Sequence, residues 1–162
     1  MDVSSQPING QRFELEGGGV AWWPCLIGKN TSVGIGTSIG ALAHIGQHVT
    51  VGERCKIQGS AYIADHCNIG DDVFIGPNAT LLNDRFPPSG NVDAWQPIDV
   101  GSHAVIGGNS TVVAGCNIGD NAVLAAGAVL TKDLPNGEVW AGNPASYLMK
   151  RSEYEAKREA KT

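Results

Sequence analysis

His48, His66 and Asp84 follow one another at intervals of 18 residues. An imidazole beside a carboxylate can take a proton from a nucleophile. A fold that stacks residues 18 apart would therefore let His66 hydrogen-bond to Asp84. His44 stands outside that column, four residues before His48. Asn83 and Asp84 adjoin a proline-rich break, Arg85-Phe86-Pro87-Pro88, where a polar pair can project from a loop. Cys25, Cys55, Cys67 and Cys116 have neither the spacing of a disulfide framework nor a CxxC metal motif. Small thiols pack as hydrophobes, and all four read as core fillers.

The element that must position these residues is a six-residue repeat. Aliphatic residues recur at Ile27, Val33, Ile39, Ile45, Val51, Ile57, Ile63, Ile69, Ile75 and Leu81. They resume at Val100, Ile106, Val112, Ile118, Leu124 and Leu130. An α-helix at 3.6 residues per turn drifts out of phase with such a period. A short strand followed by a corner keeps it. Three units then make a triangular coil of 18 residues, each coil stacked on the last by parallel hydrogen bonds about 4.8 Å apart. Weaker units at Leu15 and Ala21 extend the pattern backwards.

The corner positions agree with this geometry. They carry Asn30, Gly36, His48, His66, Asp72, Asn78, Asp84, His103, Asn109, Gly115, Asn121, Gly127 and Asp133, types that tolerate positive φ. His48, His66 and His103 thus have a structural role available, whereas His44 lies on a flat face, pointing outward under Tyr62. Residues 87–99 contain no repeat and must leave the stack as a surface loop, a common place for function. Other outward positions, Phe74, Val105, Val123 and Val129, add apolar surface that a subunit contact would cover.

The repeats resemble the left-handed parallel β-helix acyltransferases with hexapeptide repeats, over roughly residues 27–148. The handedness is implied by that resemblance alone. The segment ATLLNDRFPPSG and its surroundings are similar to the branch of N-acetyltransferases that act on UDP- or dTDP-linked amino sugars. By that resemblance Asn83 and Asp84 face the reacting amine, and Arg85, Phe86 and Tyr62 adjoin the substrate. His66 or His44 is the candidate base. Gly142-Asn143-Pro144-Ala145 resembles the closing motif of acetyl-CoA-dependent members. This implies that acetyl-CoA lies beside Gly108, Ala126, Gly127, Asn143 and Pro144, with Lys132, Lys150 and Arg151 for its phosphates. Relatives form homotrimers with sites between subunits. Some members dispense with a side-chain base. His44, where an acidic or polar residue is common, and Trp22-Trp23-Pro24, a cap or an aromatic shelf, depart from the family pattern.

The expected domain is therefore an all-β helix over 1–148 with loop 87–99 extruded, followed by a helical tail over 149–162. In that tail Ser152 and Glu155 have capping-box spacing, and the helix would cover the open end of the stack. Rival readings are O-acetyl transfer to a sugar or small alcohol, a zinc carbonic anhydrase-like protein, and a non-catalytic scaffold. No metal is expected on the leading reading. The net charge of −5 and dispersed basic residues speak against nucleic acid. No apolar run reaches membrane-span length, and residues 1–16 lack a signal-peptide pattern, so the expected address is cytoplasmic. With 22 glycines but only three Phe and three Tyr, the core must be narrow.

Overall fold

The computed structural model describes residues 10–160. The first nine residues of the stretch read for targeting, and Lys161 and Thr162 of the tail, lie outside them. The chain winds as a β-solenoid of about seven turns, followed by one short helix.

Three parallel sheets form the faces of the prism. Ala21, Ile39, Ile57, Ile75, Ile106 and Leu124 stack in register along the first face. Ile27, Ile45, Ile63, Leu81, Val112 and Leu130 do so along the second. Val33, Val51, Ile69 and Val100 line the third, continued by isolated bridges at Ile118 and Leu134. Each column points inward and builds the core. Strand amides find the carbonyl of the adjacent turn, as in His44 N–H to Ala61 O at 2.8 Å. Among the described residues, the polar side chains of fully buried Thr37 and Ser110 are both satisfied. Thr37 donates to Gly52 O at 2.8 Å, and Ser110 donates to Gly107 O at 2.6 Å.

The corners follow the expected conformation with instructive exceptions. Asn30, His48, His66, Asp72, Asn78, His103, Asn109 and Asn121 have positive φ, as do Gly36, Gly115 and Gly127. Leu42, Arg54 and Ser60 do too, although their types favour it less. Asp84 and Asp133 do not. At Gly107 stacking itself demands glycine, since a Cβ there would run into the Ala126 backbone nitrogen.

Across the break the register offset widens from 18 residues, as between Arg54 and Asp72, to 31, as between Asn68 and Asp99. Val100 lands on Ile69 of the third face. The insertion thus sits at the corner between the second and third faces. It ends before residue 98 rather than at 99, because Ile98 is fully buried and Asp99 begins a strand.

Both ends are finished on the first face by antiparallel partners. Gln11–Glu14 pairs with Val20–Trp23, and Glu138–Ala141 pairs with Ser146–Lys150. Lys150 is therefore strand, and the helix is Arg151–Glu159. The capping box is not formed: the helix has no side-chain cap, and Glu155 pairs with Arg151. The helix buries no residue and contacts the final hairpin, while Trp140 joins the core at that end. Val123 is buried within the chain itself, and Phe74, Val105 and Val129 are half-buried, so the outward apolar surface is smaller than expected.

Candidate active site

Each edge of the prism follows the face of the same number along the chain. The second edge carries His48, His66 and then Leu82-Asn83-Asp84, where the loop departs. The neck of the loop is pinched by its own backbone. Gln96 N–H donates to Asn83 O at 2.7 Å, and Gly115 N–H from the following coil donates to Gln96 O at 2.8 Å. Gln96 drew no attention in the sequence, since a single glutamine in an irregular segment carries no spacing signal.

Asp84 organises the loop that follows it. Its carboxylate accepts Ser89 N–H at 2.9 Å and Phe86 N–H at 3.1 Å. The Ser89 amide, with the Phe86 amide behind it, holds the Asp84 carboxyl below its ordinary value. A carboxylate so stabilised is a poor base and a good acceptor. The expected hydrogen bond from His66 is absent among the described residues. His66 instead stacks on His48, with centroids 5.0 Å apart and planes within 3°. Further along, Asn91 caps a short 3-10 turn, Val92–Ala94, by accepting Asp93 N–H at 3.0 Å.

Arg85 fastens the loop to the next coils. Its Nη1 donates to Ala114 O at 3.0 Å and to Cys116 Sγ at 3.3 Å. Phe86 beside it is 81% exposed. On the second face, His44 and Tyr62 pair across adjacent strands with ring centroids 4.8 Å apart and a 32° tilt. His44, with Leu26, Lys29, Gln47 and Asp65, lines a shallow depression of about 410 Å³.

The first edge lies on the other side of the second face. In its upper coils it carries Gly107-Gly108-Asn109 and Ala125-Ala126-Gly127, and Gly142-Asn143-Pro144 closes it. Val129 N–H donates to Gly142 O at 2.9 Å, and Ala145 N–H donates to Val129 O at 2.8 Å. Gly127 sits at φ +70° with open space where a Cβ would be. This strip offers exposed backbone and no large side chain. The same edge begins very differently, with Trp22, Trp23 and Leu42 exposed on its first coils.

The structure thus gathers Gly108, Ala126, Gly127, Asn143 and Pro144 on one edge. Asn83, Asp84, Arg85, Phe86 and His66 gather on another, with His44 and Tyr62 on the face between. Lys132 belongs with the loop, across the second face from Gly127. Lys150 and Arg151 are ion-paired, to Glu138 at 2.7 Å and to Glu155 at 2.5 Å. An anion would have to compete with those carboxylates. Among the described residues no three His, Cys, Asp or Glu side chains converge as a metal site. All four cysteines are free. Desolvation pushes the Cys67 thiol up to about 11 and raises Cys55 and Cys25 as well. No described helix is long and apolar enough to cross a membrane.

Residues 48–83 match the family model described as bacterial transferase hexapeptide (six repeats). Residues 25–47 and 97–132 match the hexapeptide repeat of succinyl-transferase. The unmatched gap coincides with the loop. No curated protein sequence matches the chain. Among solved structures, the acetyltransferase domain of PglB from Neisseria gonorrhoeae FA1090, in complex with acetyl coenzyme A, is 21% identical. Its TM-score is 0.71, and the match covers 82% of this chain and 58% of that one. WeeI from Acinetobacter baumannii AYE is 26% identical, at TM-score 0.67 and coverages of 80% and 57%. AntD, an N-acyltransferase from Bacillus cereus in complex with dTDP and 3-hydroxybutyryl-CoA, is 15% identical. Its TM-score is 0.61, with coverages of 87% and 85%. The chain therefore spans less than two thirds of the PglB domain and of WeeI.

Proposed function

Because the chain belongs to the hexapeptide-repeat acyltransferase family, we propose that it moves an acetyl group from acetyl-CoA to the amine of a nucleotide-linked amino sugar. The observation that carries this reading is the division of the prism. A strip of small residues on the first edge faces, across the second face, a loop whose first residues are Asn83 and Asp84.

The strip suits a long thioester arm. Around Gly108, Ala126 and Gly127 the backbone is accessible, so the groups outside the Gly127 N–H to Gly108 O hydrogen bond can bind an amide-containing chain, and Asn143 and Pro144 bound it. Acetyl-CoA supplies the activated acetyl group. The chain supplies orientation. Two of the roughly four lone-pair directions of the Asp84 carboxylate are taken by loop amides. The others can hold the N–H donors of the acceptor amine, with Asn83 beside it. Asp84 then orients the amine rather than deprotonating it, because its stabilised carboxylate is a weak base. The new C–N bond forms as the C–S bond of the thioester breaks, and the proton the amine loses passes through His66 at the loop edge or His44 on the adjoining face to the departing CoA sulfur. A backbone N–H of the late coils stabilises the oxyanion. The raised thiol pKa values of Cys25, Cys55 and Cys67 make these three poor acyl acceptors.

The working form in this reading is a homotrimer with the site between subunits. Exposed Leu26 and Tyr62 on the second face lie where a neighbour would complete the groove. The test combines mass and turnover. Light scattering is expected to give three times 16.9 kDa. Wild-type protein is expected to acetylate a nucleotide amino sugar, with a pH–rate profile that changes in His44→Ala or His66→Ala. Acetylation of the hydroxyl analogue but not the amine would overturn the reading.

A further inference from the structure

The proposed function names an acceptor carrying a nucleotide but gives that nucleotide no place. We infer that it docks in the depression between the loop and the following coils, with its diphosphate on Arg85 and Lys132 and its base on Phe86. This rests on the reading of the acceptor given above.

The first support is electrostatic. The chain has net charge −5, and Arg12, Arg54, Arg151 and Arg158 each lie against a carboxylate. Arg85 alone among the arginines does not. It is half-buried and held by two neutral acceptors, Ala114 O and Cys116 Sγ, through Nη1 only. Its Nε and Nη2 make no hydrogen bond among the described residues. A guanidinium fixed at one end presents the planar fork that phosphate oxygens engage in pairs.

The second support is composition. Arg85, Phe86, Gln96, Thr131 and Lys132 line one depression of about 440 Å³, within the range of small-ligand sites. Lys132 Nζ lies 5.0 Å from the centre of the Trp140 ring and has no carboxylate within ion-pair distance among the described residues. Asp133, the acid on the same wall, turns Oδ1 to Asn117 N–H at 2.8 Å. The exposed Phe86 ring projects from a backbone whose N–H is held by Asp84, so it is an anchored stacking surface. Bases of any identity stack on such rings. Gln96 and Thr131 add groups able to hydrogen-bond a ribose or a base edge.

The third support is placement. The depression shares the second edge with Asn83 and Asp84, whereas the small-residue strip for the acyl donor lies on the first edge. An acceptor with its phosphates on Arg85 and Lys132 therefore approaches from the side opposite the donor. The depression is thus assigned to the acceptor and not to the adenosine phosphates of CoA.

Calorimetric titration of UDP, dTDP, GDP and CoA into wild-type, Arg85→Gln, Lys132→Gln and Phe86→Ala proteins tests this. At least one nucleoside diphosphate is expected to bind. Its Kd should rise about tenfold in each cation variant and by a comparable factor in Phe86→Ala, with CoA affinity unchanged. Phe86→Ala removes an exposed ring, so it keeps the test sharp if Arg85→Gln loosens the loop. Loss of CoA binding with nucleotide binding intact would overturn the inference, as would failure of all three nucleotides to bind wild type. Turnover separates the two readings. A nucleotide amino sugar acetylated with unchanged KM by all three variants refutes this docking alone. Nucleotide binding that obeys the variants, without any N-acetyl product, refutes the proposed function alone.

Discussion

In the coils strand amides bond carbonyls one turn away, as Thr50 N–H does Cys67 O, whereas residues 82–97 settle many of theirs locally. Asp84 accepts two loop amides and Asn91 caps its own turn. The coil arrangement is indifferent to most outward side chains, because backbone and inward columns supply the cohesion. That indifference makes a stiff scaffold but repeats similar surroundings at each level. The loop breaks the repetition. It brings an arginine, an aromatic ring and a carboxylate to one edge without disturbing the stack above, since Val100 resumes directly on Ile69. Substitutions in the coils should therefore cost stability, and those in the loop should cost turnover.

The largest expected effect is in the coils. Ile63 is fully buried between Ile45 and Leu81 on the second face. Ile63→Ala is expected to destabilise the chain by about 2–5 kcal/mol, through lost burial and the cavity left behind. Denaturant unfolding followed by circular dichroism measures it. A loss below about 1 kcal/mol would mean that the column is not the principal source of cohesion.

Next comes the carboxylate that shapes the loop. Asp84→Ala is expected to lower turnover about a hundredfold, while the midpoint of global unfolding stays within a few degrees. The pH dependence has a definite sign. The native carboxyl is held below its ordinary value, chiefly by the Ser89 amide. Its contribution to loop order is therefore fully present above the unfolded carboxylate range and fades only as pH falls through the lowered native value. Hydrogen exchange should show the Ser89 and Phe86 amides protected at pH 5, and unprotected at that pH in Asp84→Ala. Equal protection in both proteins would remove Asp84 from this role.

The same contrast explains how far the sequence could be read. Inward columns were legible because only an aliphatic every sixth residue fills a narrow triangular core, and the cysteines followed from their small inward positions. The end of the loop was not, because Ile98 fills an inward position that elsewhere holds a smaller residue, Ala, Ser, Thr, Cys or Val. Its bulk hid the resumption of the stack two residues early. Positive φ at Leu42, Arg54 and Ser60 escaped type-based reading because stacking on both sides offsets the about 1–2 kcal/mol that the conformation costs a residue with Cβ. The partners of Asp84 were not legible. A column 18 residues apart pointed it at His66, and the departing chain turned its carboxylate to its own amides instead. The placement of Lys132 needed the register after the insertion, which no local pattern specifies.

Two glycines give the finest comparison. Gly107 lies in the stack, where an added Cβ meets the Ala126 backbone. Gly107→Ala should cost about 1–3 kcal/mol, the range for forced overpacking, because a backbone atom cannot swing aside. Gly90 lies in the loop at φ +62° with nothing near a hypothetical Cβ. Gly90→Ala carries only the conformational penalty of about 1–2 kcal/mol, and that penalty falls on loop order. Global unfolding should register the first substitution and not the second, while exchange at the Ser89 amide should register the second. If Gly90→Ala lowers the global midpoint as much as Gly107→Ala does, loop and coils unfold as one unit. Turnover and stability would then no longer separate along the chain.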